Sequence, residues 1–192
     1  RHLWAVSRSE FAVSMAALAA VLLLGILKGV MLAVVISLLF LLHRASHPHV
    51  AFLGRIPGTR TYSDLERNPD NEPVPGALIV RVEAALLYFN VEHVRAAIRE
   101  HLRVAPVPLG LLVLDLSSSP GVDVAGARML SGLQAMLGAA GTTVRLVGAR
   151  ASVRDLLRAE RLEERVGPID RRVTVADVVE EFQRAGASKA SA

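Results

Sequence analysis

The residues most able to do chemistry lie in one short stretch, Asp115 to Val122, and at the head of the helix expected after it. Ser117, Ser118 and Ser119 carry hydroxyls that could accept a phosphoryl group, and Pro120-Gly121 turns the chain toward Asp123. Free backbone amides at such a helix start could cradle an anion. Asp123 works against this, because as an N-cap its own carboxylate takes those donors. A polar, exposed loop with no ligand is the plainer reading of the same residues.

Other chemical groupings are weaker. His43, His47 and His49 suggest a metal site, but Pro48 breaks any helical spacing and no nearby carboxylate completes a ligand set. Interfacial histidines are the alternative, and no metal or other cofactor is expected. Glu160, Glu163 and Glu164 stand among Arg158, Arg161 and Arg165, the pattern of a solvated, salt-bridged surface. His93 and His101 fall on the polar side of a helix. No Ser/His/Asp grouping follows from spacing, and no glycine-rich Lys-Ser/Thr loop exists for a triphosphate. The chain has no cysteine, which removes thiolate catalysis and disulfides. Catalysis is not expected. With a net charge of +4, scattered basic residues and 4% aromatics, nucleic acid is not an expected partner either.

The frame that must position these groups is divided. Phe11 to Leu42 holds 32 residues and one charge, Lys28. As a single helix it would be roughly 48 Å long, against ~30 Å of hydrocarbon core in a bilayer. Two apolar helices in a hairpin fit better, spanning about residues 10–25 and 28–43 within a membrane region 1–44. The break falls at Gly25-Ile26-Leu27-Lys28-Gly29. Arg1 and Arg8 precede the hairpin, while Arg44, Arg55, Arg60 and Arg67 follow it. The positive-inside rule then puts both ends in the cytoplasm. No cleavable-leader pattern precedes the apolar run, so the chain reads as a fragment of a longer protein.

Residues 45–76 read as a cytoplasmic linker. Pro48, Pro57, Pro69, Pro73 and Pro75 interrupt helix there, and Gly54, Gly58 and Gly76 supply turns. Residues 77–185 read as an α/β domain, with a mixed sheet of about four strands and helices packed against it. The strands are expected at Ala77 to Val82, Leu86 to Phe89, Leu109 to Leu114 and Thr142 to Val147. Leu109 to Leu114 is a continuous apolar run, the mark of a central strand covered on both faces. Asn90 and Asp123 are expected N-caps, and Ser152 with Asp155 and Thr174 with Asp177 are expected capping boxes. Residues 186–192 read as a flexible tail.

This order of parts resembles the C-terminal end of a bacterial SulP anion transporter, a relative of the SLC26 family. The resemblance begins at Leu3-Trp4 and Arg8-Ser9-Glu10-Phe11, and continues through Gly29, Pro48, Leu53-Gly54-Arg55-Ile56-Pro57-Gly58-Thr59 and Tyr62. It ends in Tyr88-Phe89-Asn90-Val91-Glu92, Leu114-Asp115-Leu116-Ser117 and Asp123-Val124-Ala125-Gly126, segments similar to those of STAS domains. It implies the last two membrane helices of a multi-pass inner-membrane protein, followed by a cytoplasmic STAS domain. The implied function is secondary active transport of an inorganic anion of the sulfate type. The domain would serve regulation, assembly or partner binding. The implied partners are membrane lipid, the anion through upstream parts, a second copy in a homodimer, and a cytosolic protein. The substrate site is expected outside this chain. In stand-alone STAS proteins a serine in Asp-Ser-Ser-Gly accepts phosphate; Ala125 stands at that place here, which leaves Ser117, Ser118, Ser119 and Asp123 as the regulatory candidates. The alternative is a membrane-anchored STAS interaction module without transport.

Overall fold

The computed structural model describes Met15, Leu18 and residues 25–104 and 109–190, with side chains through residue 187. The chain divides into two compact units, residues 1–46 and 47–192.

In the first unit, helix α1 covers Ile26–Ser46, 21 residues. At 1.5 Å per residue that is ~31 Å, the depth of a bilayer's hydrocarbon core. Among its described residues only Gly29 is buried, and Leu27, Val34, Leu38 and Leu41 are more than half exposed. The helix is therefore long and apolar enough to cross a membrane. Its start differs from expectation. Gly25 takes φ +81, a backbone open to glycine, and the helix begins at once with Ile26. Lys28 and Gly29 thus sit inside the first turn rather than at the break. Of the expected first arm, Met15 and Leu18 are helical, Gly25 is not, and the rest lies outside the described residues.

The second unit is built on a five-stranded sheet rather than about four strands. Its members are β1 (Val50–Arg55), β2 (Tyr62–Asp64), β3 (Ala77–Val82), β4 (Leu111–Asp115) and β5 (Thr143–Val147), in the order β2-β1-β3-β4-β5. β1 runs antiparallel to both neighbours, and β3, β4 and β5 are parallel. The first two strands come from the segment read as a linker. Pro57 and Gly58 (φ +73) occupy the middle of a turn closed by Thr59 N–H to Ile56 C=O at 3.1 Å, so they join two strands instead of interrupting them. The expected strand at Leu86 to Phe89 does not form. Only an isolated bridge links Leu86 to Val122, because the Asn90 side chain folds back, accepting from Leu87 N–H at 3.0 Å and donating to Ala85 C=O at 2.9 Å.

Five further helices follow: α2 (Val91–Val104), α3 (Val124–Ala139), α4 (Ala151–Ala159), α5 (Glu163–Val166) and α6 (Val175–Ala190). Strand alternation decides the layers. Val80, Val82, Leu112, Leu114, Val144 and Leu146 pack with α2, α3, α4 and α5. Ile79, Leu111, Val113 and Val147 face the other way, onto α6 and Tyr62. All five residues of β4 are buried, as its unbroken apolar run requires.

The caps are mixed. Thr174 and Asp177 form the expected box: Thr174 N–H donates to Asp177 at 3.0 Å, and Asp177 N–H to Thr174 Oγ1 at 3.3 Å. Thr174→Ala should cost about 1 kcal/mol, read as a lower urea midpoint. Ser152 does not cap. Arg150 is the N-cap of α4, two residues earlier, and makes no side-chain capping hydrogen bond. α6 continues past Gly186 to Ala190, carried by the helix-favouring alanines 185, 187 and 190.

Candidate functional site

The serine loop leaves the carboxyl end of β4, where strand register sets Asp115 beside Arg81 of β3. Arg81 donates from Nε and Nη2 to Asp115 Oδ2, each at 2.8 Å. Asp115 Oδ1 accepts the Ser117 N–H at 2.9 Å. The carboxylate is 4% exposed, so these donors replace the water it has lost. Gly148 (φ +70) closes the site from the β5 side. A Cβ there would lie 2.9 Å from Asp115 Oδ1 and 3.0 Å from the Ser117 Cβ, so both backbone and space demand glycine.

The three serines part company. Ser117 and Ser118 are exposed, whereas Ser119 is fully buried and donates to Val82 C=O at 3.1 Å. Burial removes Ser119 from the phosphate-accepting candidates. Asp123 is the N-cap of α3: Oδ1 accepts Gly126 N–H at 2.8 Å, and Oδ2 accepts Tyr88 N–H at 2.8 Å. Its carboxylate therefore spends itself on two protein amides, and the anion cradle weighed from sequence is filled by Asp123. Gly126 permits this approach, since a Cβ there would fall 2.8 Å from the Leu86 carbonyl oxygen. Gly126→Ala is expected to cost about 1–3 kcal/mol by overpacking, seen as a fall in urea midpoint at unchanged slope.

The other sequence candidates scatter. His49 Nε2 lies 2.8 Å from Asp64 Oδ2, while His47 meets the His93 ring. Among the described residues, no three His, Asp or Glu side chains converge as a metal site. Arg158 pairs with Glu163 at 2.7 Å and Arg165 reaches Ser131 at 3.1 Å, a bonded surface as expected. Sequence reasoning missed the Arg81–Asp115 pair, which joins residues 34 apart. The alternation that places Arg81 among Val80 and Val82 was the available signal.

The chain is similar to known proteins in sequence and in fold. A family model described as the STAS domain matches residues 68–181. A probable sulfate transporter of Mycobacterium tuberculosis is 32% identical over 184 residues, covering 96% of this chain and 33% of that protein. High affinity sulfate transporter 2 of Stylosanthes hamata is 28% identical, covering 92% of this chain and 28% of its own length. The chain thus spans about a third of these relatives and corresponds to their C-terminal part. The structure of the murine solute carrier 26 member A9 anion transporter in its inward-facing state matches 96% of this chain and 30% of its own, with TM-score 0.80 and 20% identity. That likeness is one of fold. Because the family model takes in more than half of the residues and the sheet and helices it implies are present, the chain belongs to the STAS domain family.

Proposed function

We propose that this chain is the C-terminal portion of a secondary active transporter for an inorganic anion of the sulfate type. The observation that carries the reading is continuity. Similarity to sulfate transporters runs over 96% of the chain, through the apolar helix as well as the STAS domain. A soluble signalling domain would have no use for α1, whose surface is apolar nearly all round. In this reading α1 is a membrane helix of a multi-pass inner-membrane protein, and residues 47–192 lie in the cytoplasm. The domain governs assembly or regulation, contacting a second copy or a cytosolic protein. Ser117 and Ser118 are its exposed regulatory positions, held in place by Asp115, and Asp123 is structural support for them. The anion itself binds in parts of the carrier outside this chain, and no catalysis takes place here.

The test is uptake of labelled sulfate into vesicles containing the whole carrier, with and without residues 47–192. Uptake that is saturable in the whole protein and reduced at least about tenfold by the deletion, with membrane insertion unchanged, supports the reading. No sulfate uptake above empty vesicles, and none for other inorganic anions, would sink it.

A further inference from the structure

Four of the chain's six histidines line one joint. His93 of α2 meets His47 edge-on, with ring centroids 5.0 Å apart. Farther along the same helix, His101 lies flat on Phe52 of β1, centroids 3.2 Å apart and planes within 10°. On the far side of the buried Pro48, His49 Nε2 approaches Asp64 Oδ2 of β2 at 2.8 Å. His47, Pro48 and His49 directly follow Ser46, the last residue of α1, and lead into β1. The lead-in segment is thus held to α2 by one imidazole and to β2 by another.

The geometry points to an acid-sensitive joint: protonation releases the lead-in segment and β1 from α2, while the His49–Asp64 contact tightens and keeps that segment on β2. Charge gives each contact its sign. Two imidazolium rings at the distance of His47 and His93 repel, and neutral rings do not. His101 is exposed, but the loss of water on the ring face stacked against Phe52 makes it harder to protonate, with the Ala97 backbone and Glu100 opposing. Its folded-state affinity for a proton is therefore below the unfolded one. That contribution to stability is full above the ordinary histidine value of about 6.5 and is lost as pH falls below it. The His49–Asp64 contact has the opposite sign, because a cationic ring attracts the carboxylate it faces at 2.8 Å. Burial alone would push the Asp64 carboxyl up, but the His49 hydrogen bond and the Glu66 amide hold it below the usual range. The pair therefore survives the acidification that loosens α2.

The surrounding charges are engaged elsewhere or act through Asp64. On α2, Glu92 pairs with Arg95, and Glu100 with Arg103 at 2.7 Å. On β1, Arg55 pairs with Glu72 at 2.8 Å. Arg67 stands 3.8 Å from Asp64, and Glu83, exposed after β3, meets the segment through its amide on the His49 carbonyl at 3.1 Å. The inference concerns the joint itself and does not depend on transport.

Because the chain has no cysteine, paired spin labels at introduced cysteines report without background. Labels at Glu66→Cys, after β2, and Ala96→Cys, on the exposed side of α2, are read by double electron resonance on the full chain in lipid nanodiscs. Between about pH 7.5 and about pH 5.5 the distance distribution should widen and move outward. In the same chain carrying His93→Phe and His101→Phe it should stay fixed. One distribution at both pH values, or a shift that persists in the Phe variant, overturns the proposal. Should that variant not fold, the unsubstituted chain decides. The His101 imidazole resonances should titrate below the free value of about 6.5, and titration at or above it overturns the proposal.

Discussion

Starting a soluble fragment at Asn68 instead of His47 is expected to abolish folding, although the STAS family model itself begins at residue 68. The reason lies in β1. It pairs with β3 at Val50–Val82, Ala51–Arg81 and Phe52–Val80, and it brings Ala51 and Leu53 into the core beside Tyr62. Each large apolar side chain returned to water costs roughly 1.5–3 kcal/mol, and a domain of this size holds only about 5–15 kcal/mol in total. The cut would also bare the edge of β3, whose unpaired backbone then templates aggregation. Arg60 ties the β1–β2 turn to α6, with Nε 2.7 Å from Glu180 and Nη2 2.9 Å from Asp177. Those pairs are exposed and add little beside the buried strand. We expect residues 47–192 to be soluble with a cooperative urea transition, and residues 68–192 to be unfolded or aggregated by circular dichroism and gel filtration. A cooperative transition of residues 68–192 at the same midpoint would show that β1 is dispensable.

The second large effect concerns Arg81 and Asp115. Arg81→Leu leaves a buried carboxylate with the Ser117 amide but without its cation, and breaking such a pair costs about 3–5 kcal/mol. A quarter of the Arg81 side chain still touches water, which places the expected loss toward the lower end. Replacing both residues by leucine removes the orphaned charge. The double variant should therefore be more stable than Arg81→Leu alone, although it lacks two polar partners. Urea titration of the unsubstituted protein, Arg81→Leu, Asp115→Leu and the double variant measures this directly. If the double variant loses the sum of the two single losses, the pair is not coupled in the way its geometry indicates. Loosening should also appear as faster amide exchange at Ser117, whose N–H rests on the same carboxylate.

What could be read from the residues alone follows a physical division. The central strand was legible because an apolar run buried on both faces needs no knowledge of its neighbours; Leu109 to Leu114 became β4 at Leu111–Asp115. The Asp123 cap and the Thr174–Asp177 box were legible because they are made within four residues. β1 and β2 were not. Their prolines and glycines look like linker punctuation, and only pairing with β3 reveals that Val50-Ala51-Phe52-Leu53 is a strand and Pro57-Gly58 its turn. Leu86 to Phe89 misled in the opposite sense, since four apolar residues suggest a strand until the Asn90 side chain claims their backbone. The candidate site divided the same way. Exposed serines were evident, but the burial of Ser119 against the Val82 carbonyl depends on how the loop folds over β3. The Arg81–Asp115 pair needed the register between two parallel strands.

Under the proposed function, α1 lies in lipid and residues 47–192 lie in the cytoplasm as the STAS domain of an anion carrier. Leu38→Cys in α1 and Ser118→Cys in the serine loop, each introduced singly into a carrier in which any cysteine outside this cysteine-free chain has been replaced, test it in sealed right-side-out vesicles with a membrane-impermeant maleimide. Neither cysteine is expected to react in intact vesicles, and position 118 alone is expected to react once the vesicles are opened. Rapid labelling of position 38 from water, or of position 118 from outside the intact vesicle, would contradict it.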